Sequence, residues 1–273
     1  MALCTDGVNK LVENDDNKER LEMLNWLSSN NHEAKYADIL NQREKETGRW
    51  FLETEKFRRW LNQDVNTSKE HRTLFCYGIQ GAGKTFISAI VVDELRQRLR
   101  FDDTVRIAFF PCNFREEVSF GTILASLLRQ LLQENASQLG GLKPLYDIWK
   151  RDKTTPTAEE ILGLLDSTIS CFSKVFFVID ALDECRLSGR FQDILEMISP
   201  LQEKHNLGLL VTSRKIPIIA DRFKNNPCVE ICAHEEDIRR FLESSMRELR
   251  CVHGKPELRS EIVCTITKGA KGM

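Results

Sequence analysis

The chain has 273 residues, 41% hydrophobic and 29% charged, a balance that fits a globular core and argues against wholesale disorder. Thirty-nine Lys and Arg stand against 41 Asp and Glu, a formal charge of −2, so no bulk positive field is present to hold a nucleic-acid backbone or an anionic membrane. No apolar run approaches the roughly 18 residues of a membrane span, and the first ten residues lack the apolar segment of a secretory signal. Nine scattered cysteines argue against a disulfide framework, and a reducing, cytoplasmic compartment is the expectation.

The stretch 1–31 is polar and acidic, with Glu13, Asp15, Asp16, Glu19 and Glu22. Leu21, Leu24, Trp26 and Leu27 make one stripe of a short helix, or the stretch is a linker. From Tyr36 to Leu61 aromatic residues gather, and Leu52, Phe57, Trp60 and Leu61 suit one helix with Glu53–Glu55 near its positive end. Strand and helix alternate from residue 73. Thr73–Tyr77 reads as a strand, Lys84–Leu99 as a helix, and Val105–Phe110 as a strand stopped by Pro111. Phe120–Leu132 is an amphipathic helix, Asn135–Pro156 a loop with irregular helix, and Ile161–Ile169 a helix opened by Thr157, Glu159 and Glu160. Val175–Ile179, Leu207–Thr212 and Cys228–Cys232 are strands, with a helix at Phe191–Ile198 between the first two. Helices at Glu235–Leu249 and Leu258–Thr267 close the chain. The alternation predicts a parallel sheet with helices on both faces.

One motif dominates. Gly78-Ile79-Gln80-Gly81-Ala82-Gly83-Lys84-Thr85 matches G-x-x-x-x-G-K-[ST] and lies between a predicted strand and a predicted helix. Its glycines permit a wrapped backbone whose N–H groups face phosphate oxygens, and the helix adds its positive end. Lys84 is expected on the β- and γ-phosphates and the Thr85 hydroxyl on Mg²⁺. The strand Val175–Ile179 delivers Asp180 at its C-terminal end, where open α/β sheets bind ligands, which makes it a second magnesium-holding group. Asp183 and Glu184 follow, placed to orient or deprotonate a water. If the strand ending Val211-Thr212-Ser213-Arg214 lies between the phosphate-loop strand and the Asp180 strand, then Thr212, Ser213 and Arg214 face the γ-phosphate and Arg214 senses it.

The weaker signals each have a blander reading. Cys228-x-x-x-Cys232-x-His234 and Cys251-x-His253 touch on zinc spacing, but thiols on one strand face suit a core better. Cys185 stands beside the acidic pair, with nothing nearby to mark an activated thiol. Trp50, Phe57 and Trp60 either stack on a base or brace the sheet.

With these residues in view, the chain resembles the NACHT-type members of the STAND class of P-loop NTPases, and the nephrocystin-3-like N-terminal domain of fungal NOD-like receptors in particular. The likeness rests on Glu46-Thr47-Gly48-Arg49-Trp50-Phe51-Leu52, the phosphate loop, Phe109-Phe110-Pro111-Cys112, Asp180-Ala181-Leu182-Asp183-Glu184-Cys185, Val211-Thr212-Ser213-Arg214 and Glu236-Asp237-Ile238. The small residue after the magnesium acid, then an acidic pair one residue on, is its specific element.

The resemblance implies a three-layer α/β/α P-loop fold with a five-stranded, mostly parallel sheet of order 2-3-4-1-5. It divides the chain into a linker or short helix (1–31), a helical brace (32–61), the NTPase core (62–234) and a partial helical lid (235–273). It implies ATP or GTP and Mg²⁺ as cofactors, slow hydrolysis serving a signalling switch, and Thr47, Gly48 and Trp50 near the base or lid. Homo-oligomerisation is expected in a longer context, with effector, winged-helix and repeat regions that this stretch does not contain, and with neither nucleic acid nor membrane as partner. The alternatives are a non-hydrolysing nucleotide-binding scaffold or truncated remnant and, less favoured, a nucleic-acid-stimulated motor.

Overall fold

The structure, a computed structural model, describes residues 17–29, 32–64, 66–113, 115, 117–133, 139–187, 192–249, 252 and 254–270. Glu13, Asp15, Asp16, Cys251 and His253 lie outside the described residues. Residues 17–27 form helix α1, followed by α2 (His32–Gln42), α3 (Arg49–Glu53) and α4 (Glu55–Leu61). Strand β1 (Thr73–Tyr77) leads into α5 (Lys84–Arg98), then β2 (Val105–Pro111), β3 (Glu117–Val118), α6 (Phe120–Gln133), α7 (Leu139–Asp152) and α8 (Ala158–Ile169). After β4 (Lys174–Asp180) and β5 (Arg186–Leu187) come α9 (Gln192–Lys204), β6 (Leu207–Ser213), α10 (Pro217–Ala220) and β7 (Cys228–Glu230). Helices α11 (Glu235–Glu248) and α12 (Pro256–Gly269) finish the fold.

Five strands form one sheet in the order β2-β4-β6-β1-β7, every pair parallel. Counted among these five alone, the order is the expected 2-3-4-1-5, and the sheet is wholly rather than mostly parallel. β6 lies between β1 and β4, so the chain ends of all three central strands meet at one edge. Side chains alternate between two cores. Phe75, Phe177, Ile179, Leu209 and Val211 face a cluster with α1 and α6–α9, while Leu74, Cys76, Phe176, Val178 and Leu210 face one with α2–α5. A sheet covered on both faces explains why β4 and β6 read as unbroken apolar runs.

Three sequence expectations change, and one open choice is decided. Pro111 belongs to β2, opposite Asp180; β2 is an edge strand, where a residue without an N–H is tolerated, and Cys112 N resumes the ladder by donating to Asp180 O at 2.9 Å. The stretch 135–156 contains the regular helix α7, which buries Leu139, Leu142, Tyr146 and Trp149. The single helix expected near Phe57 is two, broken at Thr54, whose hydroxyl caps the second by accepting from Phe57 N at 3.3 Å. Phe57 and Trp60 are fully buried in the core; Trp60 Nε1 donates to Arg72 O and Leu209 O at 3.2 and 3.1 Å. They brace the sheet and are not available to a base.

Helix α1 docks through Met23, Leu24 and Leu27, all buried, and through Trp26, stacked on Trp149 with centroids 5.0 Å apart. Each buried apolar side chain contributes about 1.5–3 kcal/mol as an upper figure.

Candidate functional site

The phosphate loop occupies the turn between β1 and α5. Gly81 and Gly83 hold φ of 82° and 92°, and a Cβ on either would meet nothing within 4 Å. Such a backbone favours glycine and leaves an open cradle beside the helix start. Gly78 is there for a different reason: a Cβ would stand 2.4 Å from Ile231 O, just past β7. Ile79 and Gln80 are exposed, Ala82 is buried, and Gly83 precedes the first residue of α5.

Lys84 is buried and its Nζ donates to Gly78 O at 3.0 Å and Ile79 O at 2.8 Å. Burial lowers its ammonium below the usual lysine range; Asp183, Asp180 and Glu184 work against that shift, and Arg214 works with it. The four residues named from sequence as magnesium, water and sensor groups thus converge on the phosphate-loop lysine. Thr85 follows it in the first turn of α5.

Asp180 ends β4 and is 2% exposed. Its Oδ1 accepts from Ser88 Oγ at 2.8 Å and from Thr212 Oγ1 at 2.6 Å. Thr212 Oγ1 in turn accepts from Ala181 N at 2.8 Å. That bond steadies a residue in the left-handed region (φ 53°, ψ 50°), where side chains are strained. The bend sends Leu182–Glu184 into a single 3₁₀ turn. A β-branched side chain after the acid would be disfavoured by this backbone.

Two expectations about β6 are corrected. Thr212 is fully buried and bonded to Asp180, and Ser213 Oγ is buried and donates to Arg214 O at 2.9 Å; neither hydroxyl is free to face a phosphate. Asp183 accepts from Arg214 N at 2.8 Å through Oδ1 and from Arg214 Nε through Oδ2, with its side chain 1% exposed. The ion pair holds the Arg214 guanidinium above its ordinary value. Both Asp183 oxygens are thus committed, which makes it the residue that positions Arg214; Glu184, half-buried beside it, has no such clamp among the described residues.

Thr47, Gly48 and Trp50 line a cavity of about 400 Å³ that also touches Gly81–Gly83 of the phosphate loop, Phe86 of α5, and Ile238 and Phe241 of α11. Thr47 Oγ1 donates to Glu44 O at 2.8 Å. Gly48 has φ 75°, and its N donates to Asp237 Oδ2 at 2.9 Å. Trp50 stacks on His234 with centroids 4.1 Å apart. Asp237 was visible only as part of a matching motif; the structure gives it a role as the clasp between the upstream segment and α11. Ser88 carried no sequence signal, since a serine inside an apolar helix is an ordinary residue. Cys228, Cys232 and His234 do not assemble as ligands, and no cluster able to hold a metal through three His, Cys, Asp or Glu exists among the described residues. No helix among them is long and apolar enough to cross a membrane.

Residues 46–214, well over half of the chain, match the family described as Nephrocystin 3, N-terminal, and the chain belongs to that family. No curated protein matches it. Among solved structures it is similar to the ORC1 protein of Aeropyrum pernix in complex with DNA (17% identity, 64% of this chain and 44% of that one, TM-score 0.43). It is similar also to a Walker-type ATPase of Pyrococcus abyssi (12%, 71% and 56%, TM-score 0.45). A third is Cdc6p of Pyrobaculum aerophilum (14%, 64% and 43%, TM-score 0.42). The matched part spans about half the length of these three proteins.

Proposed function

We propose that this nephrocystin 3 N-terminal-type domain is a nucleotide-binding switch of the NACHT class that binds a nucleoside triphosphate with Mg²⁺ and hydrolyses it slowly. The observation that supports the reading is the placement of the phosphate loop after β1, beside the C-terminal ends of the adjacent parallel strands β6 and β4, where Arg214, Asp180 and the Asp183 turn stand. A lone phosphate loop would not require it.

The donor set fits the groups. A buried carboxylate and a threonine hydroxyl are oxygen ligands suited to magnesium, and the open glycines of the loop leave room for phosphate oxygens. Asp180 and Thr85 would hold the ion, which when bound supplies Lewis-acid polarisation of the phosphates. Residues Gly78–Lys84 bind and orient the phosphates. Lys84 exchanges its two carbonyl partners for them, a charge-assisted contact that is stronger than the neutral acceptor it leaves. Glu184 orients the attacking water. Arg214, held by Asp183, faces the terminal phosphate as its sensor, and the cavity beside Thr47, Gly48 and Trp50 takes the base and ribose. ATP and GTP both fit this reading. A reducing, cytoplasmic setting suits the free thiols at Cys76, Cys112 and Cys185, and oligomerisation would follow nucleotide exchange in a longer chain.

Titration with fluorescent ATP and GTP, together with phosphate release, tests the reading. Lys84→Ala should abolish binding of both nucleotides. Glu184→Gln should retain binding and lose turnover by about 10²-fold or more, the usual span of a positioned acid–base group. A Lys84→Ala chain that binds Mg-nucleotide as tightly as wild type overturns the site. Bound nucleotide with no release above the Lys84→Ala background would support a non-hydrolysing scaffold instead.

A further inference from the structure

On the edge of the sheet opposite the phosphate loop, the starts of β1 and β7 lie side by side. Phe75 pairs with Cys228, and Phe75 N donates to Pro227 O at 3.0 Å. Helix α4 packs beside them, held by Lys56 Nζ on Cys228 O at 2.7 Å and by Trp60 Nε1 on Arg72 O at 3.2 Å. Between α4, the turn before β1 and the turn before β7 is a hollow of about 280 Å³. Lys56 and Arg59 line it from α4, His71 from the first turn and Lys224 from the second.

None of the lining residues is acidic, although the chain as a whole carries a formal charge of −2. The positive charge is a local arrangement, and little of it is neutralised within the fold. Arg59 pairs with Glu55 on the same helix, but the two side chains are 73% and 75% exposed, where such a pair contributes at most about 1 kcal/mol. Lys56 spends one of its N–H donors on an uncharged carbonyl. Lys224 is exposed and forms no ion pair among the described residues. Ser68 Oγ stands 2.6 Å from Nδ1 of His71, which occupies one of that ring's two nitrogens. Asn225 and Asn226 add carboxamides to the lining.

We propose that this hollow binds a compact oligophosphate, a small free anion with two or more phosphate groups, at a site separate from the phosphate loop. Lys56, Arg59 and Lys224 repel one another around the concavity. An anion among them relieves that repulsion and accepts charge-assisted hydrogen bonds. The Arg59 fork matches two phosphate oxygens, and the lysines act toward the others as point charges. Size selects the occupant. Sites for small molecules run upward from about 300 Å³, so the hollow suits a compact molecule better than an extended acidic chain. Strand β1, five residues long at about 3.3 Å each, separates it from the phosphate loop, and a compact anion cannot span the two.

Calorimetric titration of the full Lys84→Ala chain with inorganic pyrophosphate, without magnesium and at about 50 mM salt, tests this with the phosphate loop disabled. One bound pyrophosphate per chain is expected. Adding Lys224→Gln or Arg59→Gln should weaken it about tenfold or more, the size of one lost hydrogen bond to a charged group, and raising the salt to about 300 mM should weaken it further. Both side chains are exposed, and circular dichroism checks that each variant is folded. In the unsubstituted chain, which needs no variant to fold, pyrophosphate should cause selective loss of acetylation at Lys224 relative to the exposed Lys35 and Lys153. A Lys84→Ala chain that binds no pyrophosphate overturns the proposal, as does binding that both added substitutions leave untouched. Equal acetylation of Lys224 with and without pyrophosphate overturns it too. So does a hexaglutamate peptide that binds as tightly and loses affinity in the same variants, which would mark a docking surface for acidic chains. Failure of the nucleotide reading would leave each of these results as it stands.

Discussion

Thr212→Val is the most informative perturbation of the site's frame. Valine has the shape of threonine without the hydroxyl, so packing inside β6 is kept while two bonds are removed. One is the 2.6 Å bond donated to Asp180 Oδ1, and the other is the 2.8 Å bond accepted from Ala181 N. A hydrogen bond to a charged acceptor contributes about 1.5–3 kcal/mol, and a buried N–H left without a partner costs about 1–3 kcal/mol. The two losses share one residue and are not additive; a net destabilisation of about 2–4 kcal/mol is expected. Ala181 is the sensitive point, because its left-handed backbone persists only while neighbours hold it there.

Urea unfolding followed by circular dichroism measures the change, and a thermal melt should fall by roughly 4–16 °C at about 2–4 °C per kcal/mol. Thr212→Ser restores both bonds and gives up one methyl group, so its cost should be about 1 kcal/mol. A valine variant within about 0.5 kcal/mol of wild type, the range of an uninvolved surface change, would refute the reasoning. So would a serine variant as damaged as the valine one.

Gly48→Ala places a Cβ 2.5 Å from Ile90 Cδ1 at a residue with φ 75°; overpacking and left-handed strain together should cost about 2–4 kcal/mol by urea unfolding, and a chain as stable as wild type would show that the upstream segment is not packed on α5. Lys174 gives a pH signature. Burial lowers its ammonium from 10.5 to about 8, although Nζ donates to Leu61 O and Gln63 O at 2.7 and 2.6 Å. The unfolded chain keeps this proton up to its ordinary value, so it binds more protons than the folded chain between those limits, and stability gains a contribution as pH rises from about 8 to 10.5. In Lys174→Met that rise should disappear from urea midpoints measured across the window; an unchanged slope refutes the assignment.

The sheet was legible because it is buried on both faces, which makes β4 and β6 read as continuous apolar runs with polar ends. The phosphate loop was legible for a related reason, since its residue types are dictated by backbone shape and charge. What escaped was set by tertiary contact. Helix α7 carries Gly140, Gly141 and Pro144, all poor helix formers. It forms because Leu139, Leu142, Tyr146 and Trp149 share one face and Trp26 of α1 closes over it. The roles of Thr212 and Asp183 escaped in another way. A polar side chain at a strand end can face a ligand or hold its neighbour, and only the partner's position decides. Thr212 and Asp183 both hold neighbours, which leaves Glu184 and Arg214 as the groups the proposal assigns to the water and the phosphate.

The clasp between the upstream segment and α11 then bears on how a switch of this build would work. Gly48 N to Asp237, Trp50 against His234 and the Arg240 guanidinium on Glu46 O all join the same short stretch to the start of α11. Gly48, Trp50 and Asp237 line the cavity next to the phosphate loop, whose walls come from both sides of that joint. A base in the cavity would contact the brace, the loop and the helical pair α11–α12 at once, so its binding energy would favour whichever arrangement keeps the three together. In the proposed arrangement the terminal phosphate would lie at the other end of the loop, beside the turn that Asp183 and Arg214 join to β6. Base and terminal phosphate would then act on different joints of the fold. A diphosphate retains the first contact and gives up the second, so in this architecture loss of the γ-phosphate would be felt at Arg214 while α11 stays clasped through Gly48 and Asp237.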